Sequence, residues 1–103
     1  MIFVSGAVPI DPGTGETVGS DIRSQTDRVL ANIALTLQAA GSSMARVVKT
    51  TVFVTDATLV AGMNEAYRQH FPGHLPARST VQVGPLARPE FLVEIEAVAV
   101  AGA

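Results

Sequence analysis

The chain has 103 residues, of which 48% are apolar and 16% charged, with a formal net charge of −2. This is the length of one domain, and so apolar a chain, able to bury only about two-thirds of its unfolded surface alone, is expected to meet other subunits. The absence of cysteine excludes disulfides, thiolate metal sites and thiol nucleophiles, and an acidic balance with one Tyr and four Phe gives neither the basic stripe nor the stacking platform common in nucleic-acid binders.

Met1-Ile-Phe-Val lacks the charged start of a signal peptide, and no apolar run approaches the roughly 20 residues of a membrane span. A cytoplasmic protein without membrane contact is therefore expected. Met1 to Ser5 reads as a short buried strand, and a strand that begins at residue 1 suggests a missing upstream segment. The next stretch, Pro9 to Gly15, is turn-rich, with Pro12-Gly13 suited to a type II turn.

From Asp21 to Ala40 the apolar positions Ile22, Val29, Leu30, Ile33, Leu37 and Ala40 share one helical face, with Ser20 as the expected N-cap and Gly41 just beyond the end. Val47 to Thr55 is dense in β-branched residues and apolar on both faces, the pattern of an interior strand. Asp56 is placed to cap a second helix, in which Leu59, Met63, Tyr67 and Phe71 recur every four residues before Pro72-Gly73 stops it. Ala77 to Val83 and Phe91 to Val100 read as the last strands. The order β, α, β, α, β, β predicts an α/β (α+β) fold, a mixed sheet with both helices on one face.

Several motifs lead nowhere. His70 and His74 have metal-pair spacing, but Pro72-Gly73 breaks the helix between them, so solvated loop histidines are expected. Gly13, Gly15 and Gly19 miss the G-x-G-x-x-G spacing, and nothing places a histidine beside Ser5, Ser42, Ser43 or Ser79 for a hydrolase triad. Two features carry more. Glu94 and Glu96 share a strand face among apolar residues, and either need a cation or donor or form rim ion pairs at a subunit interface. Arg78, in Pro76-Ala77-Arg78-Ser79, stands among small residues where its fork can take a carboxylate or pair with Glu94 as plain structure.

The combination Val4-Ser5-Gly6, Gln25-Thr26 through Asn32-Ile33, Ala40-Gly41, Val47 to Val54, Asp56, Met63-Asn64-Glu65-Ala66-Tyr67, Phe71, Pro76-Ala77-Arg78-Ser79 and Val93-Glu94-Ile95-Glu96-Ala97 resembles the Rid family, also called the YjgF or RidA family. The resemblance runs over nearly the whole chain and implies one domain over residues 1–103. It implies a chorismate-mutase-like fold assembled as a homotrimer, with the sheets facing inward and three clefts between subunits.

It further implies hydrolysis of reactive 2-imino and 2-enamino acids, such as 2-aminoacrylate and its imine tautomer, to 2-keto acids and ammonia, without cofactor or metal. By the same resemblance Arg78 holds the substrate carboxylate and Glu94 positions or activates the water. Ser5, Gly6 and Asn64 match cleft residues. Thr80 stands where well-studied deaminases often have cysteine, and its backbone carbonyl can still contact the water. The family's N-terminal strand, with its cleft tyrosine, has no counterpart before Met1. Two alternatives stay open: a non-catalytic trimer that binds a small carboxylate, and, disfavoured by charge, a ribonuclease or translation inhibitor.

Overall fold

The computed structural model describes residues 1–102. Its elements are β1 (Ile2–Ala7), α1 (Ile22–Ala39), β2 (Val47–Val54), α2 (Val60–Arg68), β3 (Ala77–Gln82) and β4 (Val93–Ala99), with 3-10 turns at Met44–Arg46 and Ala57–Leu59. The strands form one sheet in the order β1-β4-β2-β3. β4 lies antiparallel between β1 and β2, and β3 joins β2 in parallel through α2. This is the expected mixed α/β sheet.

α1 forms where the apolar stripe predicts it. Val29, Leu30, Ile33 and Leu37 are wholly or almost wholly buried. Its N-cap, however, is Asp21 and not Ser20: the Asp21 carboxylate accepts from the Ser24 N–H at 2.8 Å. A carboxylate there satisfies one of the orphan amides of the first turn and suits the positive end of the helix. Gly41, at φ 77°, takes the left-handed conformation that ends the helix.

Asp56 caps the 3-10 turn Ala57–Leu59, not α2 directly, by accepting from the Thr58 N–H at 2.8 Å. α2 then starts at Val60 and stops at Arg68, so Phe71 packs from the turn beyond it. The last two strands are shorter than the sequence suggests, because Val83 and the Phe91-Leu92 pair lie outside the ladders.

One face of the sheet is covered. Val4, Thr50, Val52, Val54, Val93, Ile95, Ala97 and Ala99 all turn toward α1 and α2 and are buried there. Gly62 allows the two helices to meet: a Cβ at that position would lie 2.7 Å from Ile22 Cγ2. The opposite face carries Phe3, Val98, Phe53 and Val81 between polar residues, with Phe3 76% and Val81 44% exposed. Among the described residues no helix is long and apolar enough to cross a membrane.

Candidate functional site

The sheet sorts the candidate residues into two groups. The first lies on the open face, where β1 meets β4. The β1–β4 ladder shifts register between Val4 and Ala7, a bulge that lifts Ser5 and Gly6 out of the regular pairing. Glu94, between buried Val93 and Ile95 in the alternation, projects from the same face. A Cβ at Gly6 would lie 2.9 Å from Glu94 Cδ and closer still to Oε2. Glycine is therefore what lets the carboxylate rest against the β1 backbone.

Glu94 is fixed from its own strand as well. Gln25 is buried in α1, and its Oε1 accepts from the Leu92 N–H at 2.8 Å while Nε2 donates to the carbonyls of Gly19 and Glu90. A buried amide with three partners pins the entry of β4 two residues before Glu94. Glu96 is exposed further along the same face. Among the described residues neither glutamate enters an ion pair.

The second group lies at the other edge of the sheet, on the helix side. Asn64, Tyr67 and Arg68 of α2 and Leu75, Pro76 and Arg78 line a cavity of about 330 Å³. Arg78 pairs in register with Thr50, whose hydroxyl shares a 2.7 Å hydrogen bond with the Tyr67 hydroxyl. The Arg78 Cζ lies 4.8 Å from the Tyr67 ring centroid. Burial pushes the Tyr67 phenol above its ordinary value, against the opposing effects of the Thr50 hydrogen bond and the Arg78 charge.

Arg78 itself is exposed, and the described residues contain only two ion pairs, Arg23 with Glu65 and His70 with Asp27. The guanidinium is thus open to an outside anion. Asn64 Oδ1 and Thr80 Oγ1 are buried without a hydrogen-bond partner. Thr80 pairs with Val52, so it shares the Arg78 side of β3.

Arg78 and Glu94 do not meet within one chain, so Arg78 is not a structural partner of Glu94 inside the subunit. Glu94 pairs with Phe53 and Arg78 with Thr50, so two strand spacings and three residue rises separate them, about 14 Å in the plane of the sheet. They also project from opposite faces. Ser5, Gly6 and Glu94 thus make one group, and Asn64, Arg78 and Thr80 the other.

The histidines are not solvated as expected. His70 Nε2 meets Asp27 Oδ1 at 2.8 Å, tying the end of α2 to α1, and His74 Nε2 donates to the Val47 carbonyl at 3.3 Å with its ring edge-on to Phe71. Both are occupied in joining elements. Sequence reasoning also took Tyr67 only as a core position and left Thr50 and Gln25 without a role. The signal available for Tyr67 was its place one turn after Asn64 on the same helix face.

Residues 1–101 match the family model described as Endoribonuclease L-PSP, the model of the YjgF/RidA proteins. A RutC family protein of Pyrococcus abyssi is 48% identical over 96% of this chain and 77% of its own length. The 2-iminobutanoate/2-iminopropanoate deaminase of Rattus norvegicus is 40% identical over 98% of this chain and 73% of its own. The crystal structure of Escherichia coli TdcF with bound serine superposes with a TM-score of 0.88 at 39% identity, covering 97% of this chain and 80% of that one.

Proposed function

Since the chain belongs to the Rid (YjgF/RidA) family, we propose that it hydrolyses small 2-imino and 2-enamino acids to 2-keto acids and ammonia, as a homotrimer of one such domain per subunit with its sites between subunits. The observation that carries this reading is the division of the candidate residues. Arg78 offers an unpaired guanidinium on the helix side of β3, and Glu94 offers a carboxylate on the open face of β4. A second copy seated on the open face brings the two halves together and covers Phe3, Val98 and Val81 in doing so.

In the assembled cleft the Arg78 fork binds the substrate carboxylate through two parallel N–H donors. That fixes the imine carbon against a water and converts an encounter into an oriented step. Glu94 takes a proton from the water as its oxygen attacks the carbon and the C=N electron pair moves to nitrogen, and the same carboxyl passes that proton to the nitrogen, giving a neutral carbinolamine. A second transfer through Glu94 carries the carbinolamine hydroxyl proton to the nitrogen as the C–N bond breaks with its electron pair, leaving ammonia and the carbonyl of the 2-keto acid. An enamine substrate enters through its imine tautomer. Ser5, Gly6, Asn64 and the residue 80 backbone line the cleft.

The names and contents of the relatives support the chemistry: one is a 2-imino acid deaminase, and another was solved with serine, an amino acid whose carboxylate an arginine fork can hold. The description of the family model as an endoribonuclease finds less support, because a −2 chain has little counterion release to drive RNA binding.

The test is release of ammonia and keto acid from freshly generated imines, with thermal unfolding recorded on the same samples. Arg78→Ala is expected to fold and to lose on the order of 10² to 10³ in rate, and Arg78→Lys, which keeps the charge without the fork, is expected to be impaired as well. A folded Arg78→Ala trimer with wild-type turnover refutes the assignment. A wild type inactive on every imine that still binds a small carboxylate instead supports a binding module.

A further inference from the structure

Arg78 stands on an edge strand, exposed, with no carboxylate among the described residues to hold it. A long side chain in that setting samples many rotamers, and binding an anion must then freeze them. The contact that restrains it is aromatic. Tyr67 places its ring face 4.8 Å from the Arg78 Cζ.

The ring is itself held. Tyr67 is only 2% exposed, Phe71 packs tilted against it at 4.8 Å between centroids, and its hydroxyl shares the 2.7 Å hydrogen bond with buried Thr50. Thr50 is the register partner of Arg78 on the adjacent strand. The three residues therefore close a loop: strand pairing sets the distance from Thr50 to Arg78, and the hydroxyl bond sets the ring between them. So little of Tyr67 is exposed that it has almost no surface left to offer a ligand. With its phenol pushed up by burial, Tyr67 stays neutral at ordinary pH and meets the guanidinium through its ring quadrupole. That contact uses none of the five N–H donors, which stay available for a carboxylate.

We infer that Tyr67 is a positioning residue: its ring, anchored through Thr50, holds the Arg78 guanidinium ready for a carboxylate, a role that rests on the proposed function of Arg78. The expected signature is in ligand binding more than in turnover, because the platform acts before the anion arrives.

The experiment compares Tyr67→Phe, which keeps the ring face, with Tyr67→Leu, which removes it, in imine hydrolysis and in the pyruvate dissociation constant. Tyr67→Leu should raise KM about three- to tenfold with a smaller change in kcat, and Tyr67→Phe, which keeps the ring face but loses the Thr50 anchor, should raise KM by less than Tyr67→Leu does. In an Arg78→Ala background Tyr67→Leu should add no further loss, since there is no guanidinium left to position. In the wild type, the Arg78 side-chain protons should be shifted upfield by the ring current, a reading independent of whether the leucine variant folds.

Unchanged KM in a folded Tyr67→Leu, an equal penalty with and without Arg78, or unshifted Arg78 protons each overturn the inference. These outcomes leave the wild-type activity, and so the proposed function, standing. A wild type inactive on all imines defeats that function instead, and the platform is then judged on the pyruvate constants and the ring-current shift alone.

Discussion

Arg78 and Glu94 project from opposite faces of one sheet, about 14 Å apart in its plane, whereas a general base must come within about 3 Å of its water. If both serve one reaction, they come from different subunits. Two inactive variants should then rescue one another. Arg78→Ala should lose on the order of 10² to 10³ in rate and Glu94→Gln on the order of 10² or more, each as a homotrimer. Unfolding and refolding them together in equal amounts assorts the chains at random. Each junction takes its Arg78 half from one chain and its Glu94 half from the next, so about a quarter of all junctions are wild-type on both sides.

Recovered activity should therefore approach about a quarter of wild type, far above either parent. Ammonia release measures it, native mass spectrometry counts the mixed trimers, and the same two proteins mixed without refolding serve as the baseline. Mixed trimers no more active than the sum of their parents would refute the reasoning, because the two residues would then not be sharing a site across a subunit boundary.

Three further expectations follow from the packing. In Gly6→Ala the new methyl displaces the flexible Glu94 carboxylate, so turnover should fall about tenfold or more while Tm moves less than about 4 °C; an unchanged rate would detach Glu94 from the chemistry. Gly62→Ala gains about 1 kcal/mol in helix propensity but drives a methyl into Ile22, an overpacking cost of about 1 to 3 kcal/mol, so thermal unfolding should show a net loss of about 1 kcal/mol and a Tm lower by about 4 to 8 °C. The Asp21 carboxyl is held below its ordinary 3.8, first by the Ser24 hydroxyl and then by the Ser24 amide, so its contribution is present above that pH and lost as pH falls through the depressed value. The stability gap between wild type and Asp21→Ala should accordingly close on acidification, and a gap constant from neutral pH to pH 2 would contradict it.

Much of the fold was legible because it repeats. The stripe Val29, Leu30, Ile33, Leu37 and the alternation Val93, Ile95, Ala97, Ala99 each name a buried face without reference to the rest of the chain. Helix starts were less legible. Ser20 and Asp21 are both good caps, and only the backbone conformation of Asp21 and its reach to Ser24 decide between them. The residues of the candidate site could be named from Pro76-Ala77-Arg78-Ser79 and Glu94-Ile95-Glu96, but their separation could not. Alternation assigns faces within a strand, and only the pairings Thr50 with Arg78 and Phe53 with Glu94 relate β3 to β4. Gln25 was opaque for a similar reason: its partner Leu92 is 67 residues away.

The two faces of the sheet differ, and under the proposed function that difference links assembly to chemistry. The helix side is closed by the core, so a charged residue can sit there only at the edge, where Arg78 keeps its head in solvent and lays its charge on the Tyr67 ring. The other side is left open, so Glu94 needs no partner in the isolated chain and pays no burial cost until something covers it. Under the proposed assembly, the copy that buries Phe3 and Val81 is also the one that brings a guanidinium toward Glu94. Burying the apolar face and pairing the isolated charges then become a single event, which gives a chain of this size a reason to leave half its sheet uncovered.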